Sequence, residues 1–150
     1  MRLIASFLLL AGCGAPDDAK HPAANEAGGA APAAAPRVPN AAEIADMDSA
    51  AAALRNYYAH IARRDYRAAW ALRERRPGLD FEAFARSFAL YADYHADVGQ
   101  PSFPAAADGF VWIDAPVQIW GRQHDGERFG SVGRVMLKRP AGSRVWKVAP

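Results

Sequence analysis

The chain has 150 residues, a formal charge of +2 and a single cysteine. That length allows one domain of ordinary size with flanking segments. The lone thiol excludes an internal disulfide, a CxxC redox pair and any multi-cysteine metal site. From Met47 onward, fifteen basic residues face eleven acidic ones, too even a balance for a nucleic-acid-binding face, and no nucleic-acid partner is expected.

Arg2 followed by the apolar run Leu3–Leu10 reads as an export leader. It is far shorter than the roughly 20 apolar residues that cross a bilayer. Small residues then lead to Cys13. The sequence Leu10-Ala11-Gly12-Cys13 resembles the lipobox of bacterial lipoproteins. The resemblance implies cleavage after Gly12, a diacylglyceryl group on the Cys13 thiol and acylation of the new N-terminus. Several acyl chains on one residue make a stable anchor, since each buried CH₂ contributes about 0.8 kcal/mol. Gly14, rather than aspartate, follows the cysteine. By the same resemblance this favours the periplasmic leaflet of the outer membrane over the inner membrane. Residues 1–12 are thus expected to be a leader, and 13–45 a lipidated, disordered tether. From Gly14 to Asn40 the chain is almost all Ala, Pro, Gly and small polar residues, which cannot repay the entropy of ordering. His21 lies there with no ligand partners nearby.

The domain is expected over 46–150. Met47, Ala50, Ala51, Leu54, Tyr57, Tyr58 and Ile61 recur at spacings of three and four, one face of an amphipathic helix, with Asp46 or Asp48 as its cap. Arg64 to Glu74 predicts a second helix with Tyr66, Ala69 and Trp70 on one side, ended by Pro77-Gly78. Asp80 caps a third, with Phe81, Phe84, Phe88 and Tyr91 in a stripe. The period then becomes two. Tyr94, Ala96 and Val98 alternate in a strand, Gly109–Gln123 reads as a long strand, and Asp125-Gly126 marks a hairpin. The chain returns to a turn at Pro140–Ser143 and closes with a short strand around Trp146.

Taken as a two-residue turn, Asp125-Gly126 sets His124 opposite Glu127. Trp112, Trp120, Phe129, Val135 and Leu137 then share the core face with Trp146 and Val148. Val111, Ile113, Val117, Ile119, Val132 and Met136 take the other face, broken by Arg134 and Lys138. That second apolar face is expected to pair two copies into a homodimer. Pro116 is expected to mark a bulge.

The succession Leu54–Leu72, a Phe-rich helix, a long Asp-Gly hairpin and a terminal Val-Trp-Lys-Val-Ala resembles the NTF2-like superfamily over Met47–Pro150. This group includes nuclear transport factor 2, ketosteroid isomerase and SnoaL-like proteins. The resemblance implies an α+β cone: three N-terminal helices packed on a curved, four-stranded antiparallel sheet around a pocket. It brings no catalytic motif, so it speaks to fold and not to activity.

The residues that could carry chemistry are few. His95 and Asp97 share a strand face and could act as a base and its orienter, or simply face solvent. Asp114, between Trp112 and Pro116, could be a desolvated carboxylate or a bulge residue. Tyr57, Tyr58, Trp70, Trp112 and Trp120 could line a pocket or belong to the core. Arg63, Arg64, Arg67, Arg73, Arg75 and Arg76 form a basic stretch, read as a solvated helix face or as a contact with anionic lipid. No glycine-rich phosphate loop, HExxH or nucleophile elbow occurs, and four scattered histidines make no metal site; no cofactor is expected. The expected function is that of a lipid-anchored accessory protein of the cell envelope, non-enzymatic, binding a small apolar ligand or a protein partner. The alternative is a small cofactor-free isomerase or dehydratase-like enzyme with a pocket carboxylate or histidine.

Overall fold

Helix α1 spans Ala41–Ala62 in a computed structural model that describes residues 37–75, 77–78 and 80–149. Cys13 and the tether before residue 37 lie outside the described residues. The helix begins earlier than the apolar periodicity suggests. Its cap is Asn40, not Asp46 or Asp48. Asn40 Oδ1 accepts from the Glu43 N–H at 3.0 Å, and Glu43 accepts from the Asn40 N–H at 2.9 Å. This reciprocal pair satisfies two otherwise unpartnered donors. Arg37 adds a two-pronged contact to Glu43. Met47, Ala50, Ala51, Leu54, Tyr57 and Ile61 form the buried face, while Tyr58 is half-buried.

Helix α2 covers Tyr66–Ala71, shorter than the expected run to Glu74. Arg64 takes a left-handed φ of 61° and reverses the chain, and the Asp65 side chain caps the new helix through the Ala68 N–H. After Ala71 the backbone straightens instead of continuing. The Val148 N–H donates to Leu72 O, and the Glu74 N–H to Val148 O, both at 2.9 Å. Residues 72–74 therefore lie beside the last strand as a parallel edge. Helix α3 spans Phe81–Arg86, capped by Asp80.

Strands β1 (Tyr91–Val98), β2 (Ala105–Ala107), β3 (Phe110–Gln123), β4 (Arg128–Pro140) and β5 (Lys147–Val148) follow. They form one antiparallel sheet in the order β1-β3-β4-β5, with β2 against the same strand β3 as β1. The expected α+β architecture is present: three helices packed on a curved antiparallel sheet, with the short β2 as an addition. Tyr91 opens β1 rather than closing the helical stripe. No bulge occurs at Pro116, whose pairing runs unbroken through Ala115↔Val135, Pro116↔Arg134 and Val117↔Gly133. Pro116 O accepts from the Gly99 N–H, so its missing donor faces the side that β1 leaves, where no ladder bond is lost. The irregularity is in β1 instead, between Tyr91 and Asp93.

The hairpin register corrects the expected faces. The Gln123 N–H donates to Glu127 O at 2.8 Å, and the Gly126 N–H to Gln123 O at 3.0 Å, with Gly126 at φ 88°. The loop is His124–Gly126, three residues closed by a left-handed glycine, a common hairpin type. Pairing is therefore Trp120↔Gly130 and Ile113↔Leu137, one residue off a two-residue turn. A one-residue slip exchanges the faces of one strand relative to its partner. Ile113, Ala115, Val117 and Leu137 are buried under α1. Trp112 and Trp120 lie on the outer face with Asp114, Gln118, Val132, Arg134, Met136 and Lys138.

The N-terminal end of α1 is clamped to the sheet. Arg139 Nη2 donates to both Asp46 carboxylate oxygens at 2.8 Å, and Nη1 donates to Ser143 O at 2.7 Å. Its guanidinium lies 5.0 Å from the centre of the buried Trp146 ring, whose Nε1 donates to Ser49 Oγ. Asp46 thus serves as an anchor between helix and sheet.

Candidate functional site

Inside the curve of the sheet, aromatic rings from every layer meet. Tyr57 and Tyr58, adjacent on α1, touch edge to face at 5.1 Å. Tyr58 stacks on Tyr94 of β1 at 6.3 Å, and Tyr94 meets Phe88 and Phe129. Trp70 of α2 packs against Phe81 and Phe84 of α3. Its place is the aromatic packing under α2 and α3.

Into this cluster the edge segment 72–74 delivers Arg73. Alternation along an extended segment sends neighbouring side chains to opposite faces. Glu74 pairs with Lys138 on the outer face, so Arg73 turns inward. Its guanidinium carbon sits 5.1 Å from the Phe84 ring centre and 5.7 Å from that of Trp70. Its Nε is enclosed without a hydrogen-bond partner. Arg73 belongs to none of the ion pairs among the described residues. A cavity of about 370 Å³ opens beside it, lined by Tyr57, Tyr58, Arg73, Val135 and Val148, with Arg134, Met136 and Ala149 around it.

The electrostatics follow from burial. Removal from water disfavours the phenolate, so the Tyr57 hydroxyl is pushed up to about 12; Arg73 pulls the other way and Tyr58 pushes further up. Burial also raises Tyr58, and it raises Tyr94, to which neighbouring phenols add. All three remain protonated donors near neutral pH. The folded state binds the Tyr57 proton more tightly than the unfolded chain, whose phenol titrates near 10. Stability is therefore fully present below about pH 10 and falls as pH rises towards about 12. Thermal unfolding from pH 8 to 12 is expected to show a level melting temperature followed by a decline above 10. Tyr57→Phe should make that decline shallower; an unchanged slope contradicts the assignment.

The sequence-derived acid–base candidates lie elsewhere. His95 and Asp97 are on the outer face. His95 stacks on Trp120 at 5.7 Å, and its Nε2 is 3.8 Å from Asp93 Oδ1. Asp114 forms an ion pair with Arg134 on the same outer face. None of the three reaches the cone. Trp112 and Trp120 do not line it either; Trp112 packs outside beneath Lys138, whose Nζ lies 5.1 Å from its ring centre. No polar or charged side chain is fully buried among the described residues, and no His, Asp, Glu or Cys cluster there could hold a metal ion. A larger groove of about 560 Å³ runs along Asp46, Ser49, Arg139 and Trp146. Its polar groups bond to one another, as described above, and it reads as part of the clamp.

Arg73 was not legible as a site residue. In the sequence it is one arginine in a basic stretch. Only the end of α2 at Ala71 and the pairing with Val148 turn it into the interior.

No protein-family model and no curated protein sequence matches the chain. Solved structures do share its fold. A candidate aromatic ring hydroxylase from Novosphingobium aromaticivorans superposes with a TM-score of 0.58 at 16% identity, over 75% of this chain and 87% of that one. An NTF2-like superfamily protein from Salmonella enterica serovar Typhimurium gives 0.55 at 10% identity, over 70% and 87%. A candidate dehydratase of the NTF2-like family from Streptomyces avermitilis gives 0.50 at 13% identity, over 71% and 96%. At these identities the likeness is one of fold. The described domain has the NTF2-like fold.

Proposed function

We propose that the domain binds a small, largely apolar molecule in the cone and does not transform it, and that Cys13 tethers it to the envelope membrane, facing the periplasm, with the outer membrane favoured. One observation carries the binding reading. Among the described residues the cavity lining offers the phenols of Tyr57 and Tyr58, Arg73, the ion-paired Arg134 and apolar side chains, but no carboxylate or imidazole. A general acid or base must come within hydrogen-bond reach of the proton it moves. His95 and Asp97 lie across the sheet from the cavity, and Asp114 is held at its rim in the ion pair with Arg134. The tyrosines hold their protons too firmly to serve as bases at neutral pH. A cavity of about 370 Å³ lies within the usual range for small-molecule sites. The names of two fold neighbours, a candidate hydroxylase and a candidate dehydratase, favour the enzymatic alternative, but that reading needs a pocket carboxylate or histidine.

The tether rests on Leu10-Ala11-Gly12-Cys13. Both parts are tested with the full chain. Wild type is expected in the membrane fraction and Cys13→Ala released from it; equal retention of both overturns the anchor. In detergent, with protein-free micelles as the blank, a neutral naphthalene-based fluorophore should bind saturably to the wild type. Val135→Trp, which fills the cavity from β4, should abolish that binding. Saturable binding that survives Val135→Trp places the site elsewhere.

A further inference from the structure

We infer that the ligand of the cone carries an anionic head, a carboxylate on an apolar body, and that the Arg73 guanidinium is the group that receives it. The inference rests on the binding reading above and specifies its ligand. Arg73 is half-buried, with Nε sealed from water and without a partner. Its neighbours are the Trp70 and Phe84 rings. Ring faces attract a cation, but they accept none of the guanidinium's directed N–H bonds. A cation taken out of water without a counter-charge is costly. The other cations that pack into the sheet nearby have partners: Lys138 has Glu74, Arg139 has Asp46 and Arg134 has Asp114, while Lys147 donates to the Ala71 carbonyl oxygen. Arg73 alone of this set faces the cavity with its hydrogen-bonding capacity open.

The remaining polar groups lining the cavity from α1 agree in sign. Tyr57 and Tyr58 keep their phenol protons, so both can donate. The site therefore presents phenol donors from α1 and positive charge from the 72–74 edge, beside an apolar wall of Val135 and Val148. A guanidinium fork matches a planar carboxylate by two parallel bonds. Arg134, the second cation at the rim, is already engaged by Asp114. One free fork suits a monoanion better than a phosphate ester, which carries more charge and three oxygens to satisfy.

Three probes with one body test this: 2-naphthoate, 2-naphthamide and 2-naphthyl phosphate, titrated calorimetrically into the full chain in detergent with protein-free detergent as the blank. Charge-assisted hydrogen bonds predict that wild type binds naphthoate about tenfold more tightly than the isosteric amide. Arg73→Met should remove that preference, weakening naphthoate about tenfold and the amide less than about twofold. Arg73→Lys should keep part of it, as a point charge without the fork. Equal binding of naphthoate and amide by wild type overturns the anionic head and leaves the apolar-ligand reading standing. Tighter binding of the phosphate overturns the carboxylate assignment. No binding of any probe overturns both readings. The wild-type comparison needs no variant, so it stands even where Arg73→Met fails to fold.

Discussion

Gly121→Ala is expected to lower the stability of the domain by about 3 kcal/mol, at the upper end of the usual cost of overpacking. Gly121 sits on the inner face of β3, opposite Tyr94 on one side and Phe129 on the other. A methyl group there would stand 2.8 Å from Phe129 Cε1, 2.6 Å from Asp93 Oδ1 and deep within contact of the Asp93 carbonyl oxygen. The ring could swing aside, but the carbonyl could not. It belongs to the irregular stretch of β1, held by the bond from the Arg122 N–H to Asp93 Oδ1 at 2.8 Å and by Arg64 on Ala92 O. This is where the strand bends around the cone, so relief would require undoing the curvature. Gly133→Ala on β4 is the control. Its added methyl would meet nothing within 4 Å, and alanine in a strand is somewhat favoured over glycine. Urea unfolding should place the Gly121 variant far below wild type and the Gly133 variant at or slightly above it. Equal midpoints would mean that the close approach is not real.

Ile113→Ala is expected to cost about 3 kcal/mol, and Trp120→Ala about 1 kcal/mol or less, although tryptophan is the larger residue. Ile113 is 1% exposed, whereas Trp120 is 38% exposed and mainly covers His95. The loss at Ile113 combines the transfer of its side chain with the cavity left against the α1 face and Leu137. Since domains of this kind have total stabilities of about 5–15 kcal/mol, the difference is readily measured by denaturant midpoint. The comparison also decides the hairpin register. With a two-residue turn at Asp125-Gly126, the tryptophans would share the core face with Leu137 and the order would reverse.

That register marks the limit of what local pattern can determine. Asp-Gly fits both a two-residue and a three-residue loop. Both faces of β3 carry apolar residues, Trp112 and Trp120 on one and Ile113, Val117 and Ile119 on the other. Alternation therefore identifies the strand without identifying its inner side. The helix start shows the converse. Asn40 with Glu43 is a complete capping signature, yet the alanine-rich turn that follows has little apolar periodicity, and Asp46 and Asp48 draw the eye instead. Their true surroundings differ: Asp46 bonds to an arginine 93 positions away, a separation that no local spacing reveals.

The sequence by itself determined the elements and their class. Helical periodicity over Met47–Ile61, the Asp80 cap, period-two runs and turn residues are local properties, written within a few positions of one another. It also held the cysteine, with its small-residue approach, that motivates the membrane tether. The tertiary structure decided which side of each strand faces inward and which residues share the cone. His95, Asp97 and Asp114 were plausible chemical groups until the pleat placed them outside. Arg73 was an ordinary surface arginine until residues 72–74 joined the sheet edge beside Val148. Orientation across a sheet depends on one-residue register and on long-range pairing, and neither is encoded in the spacing of a single segment.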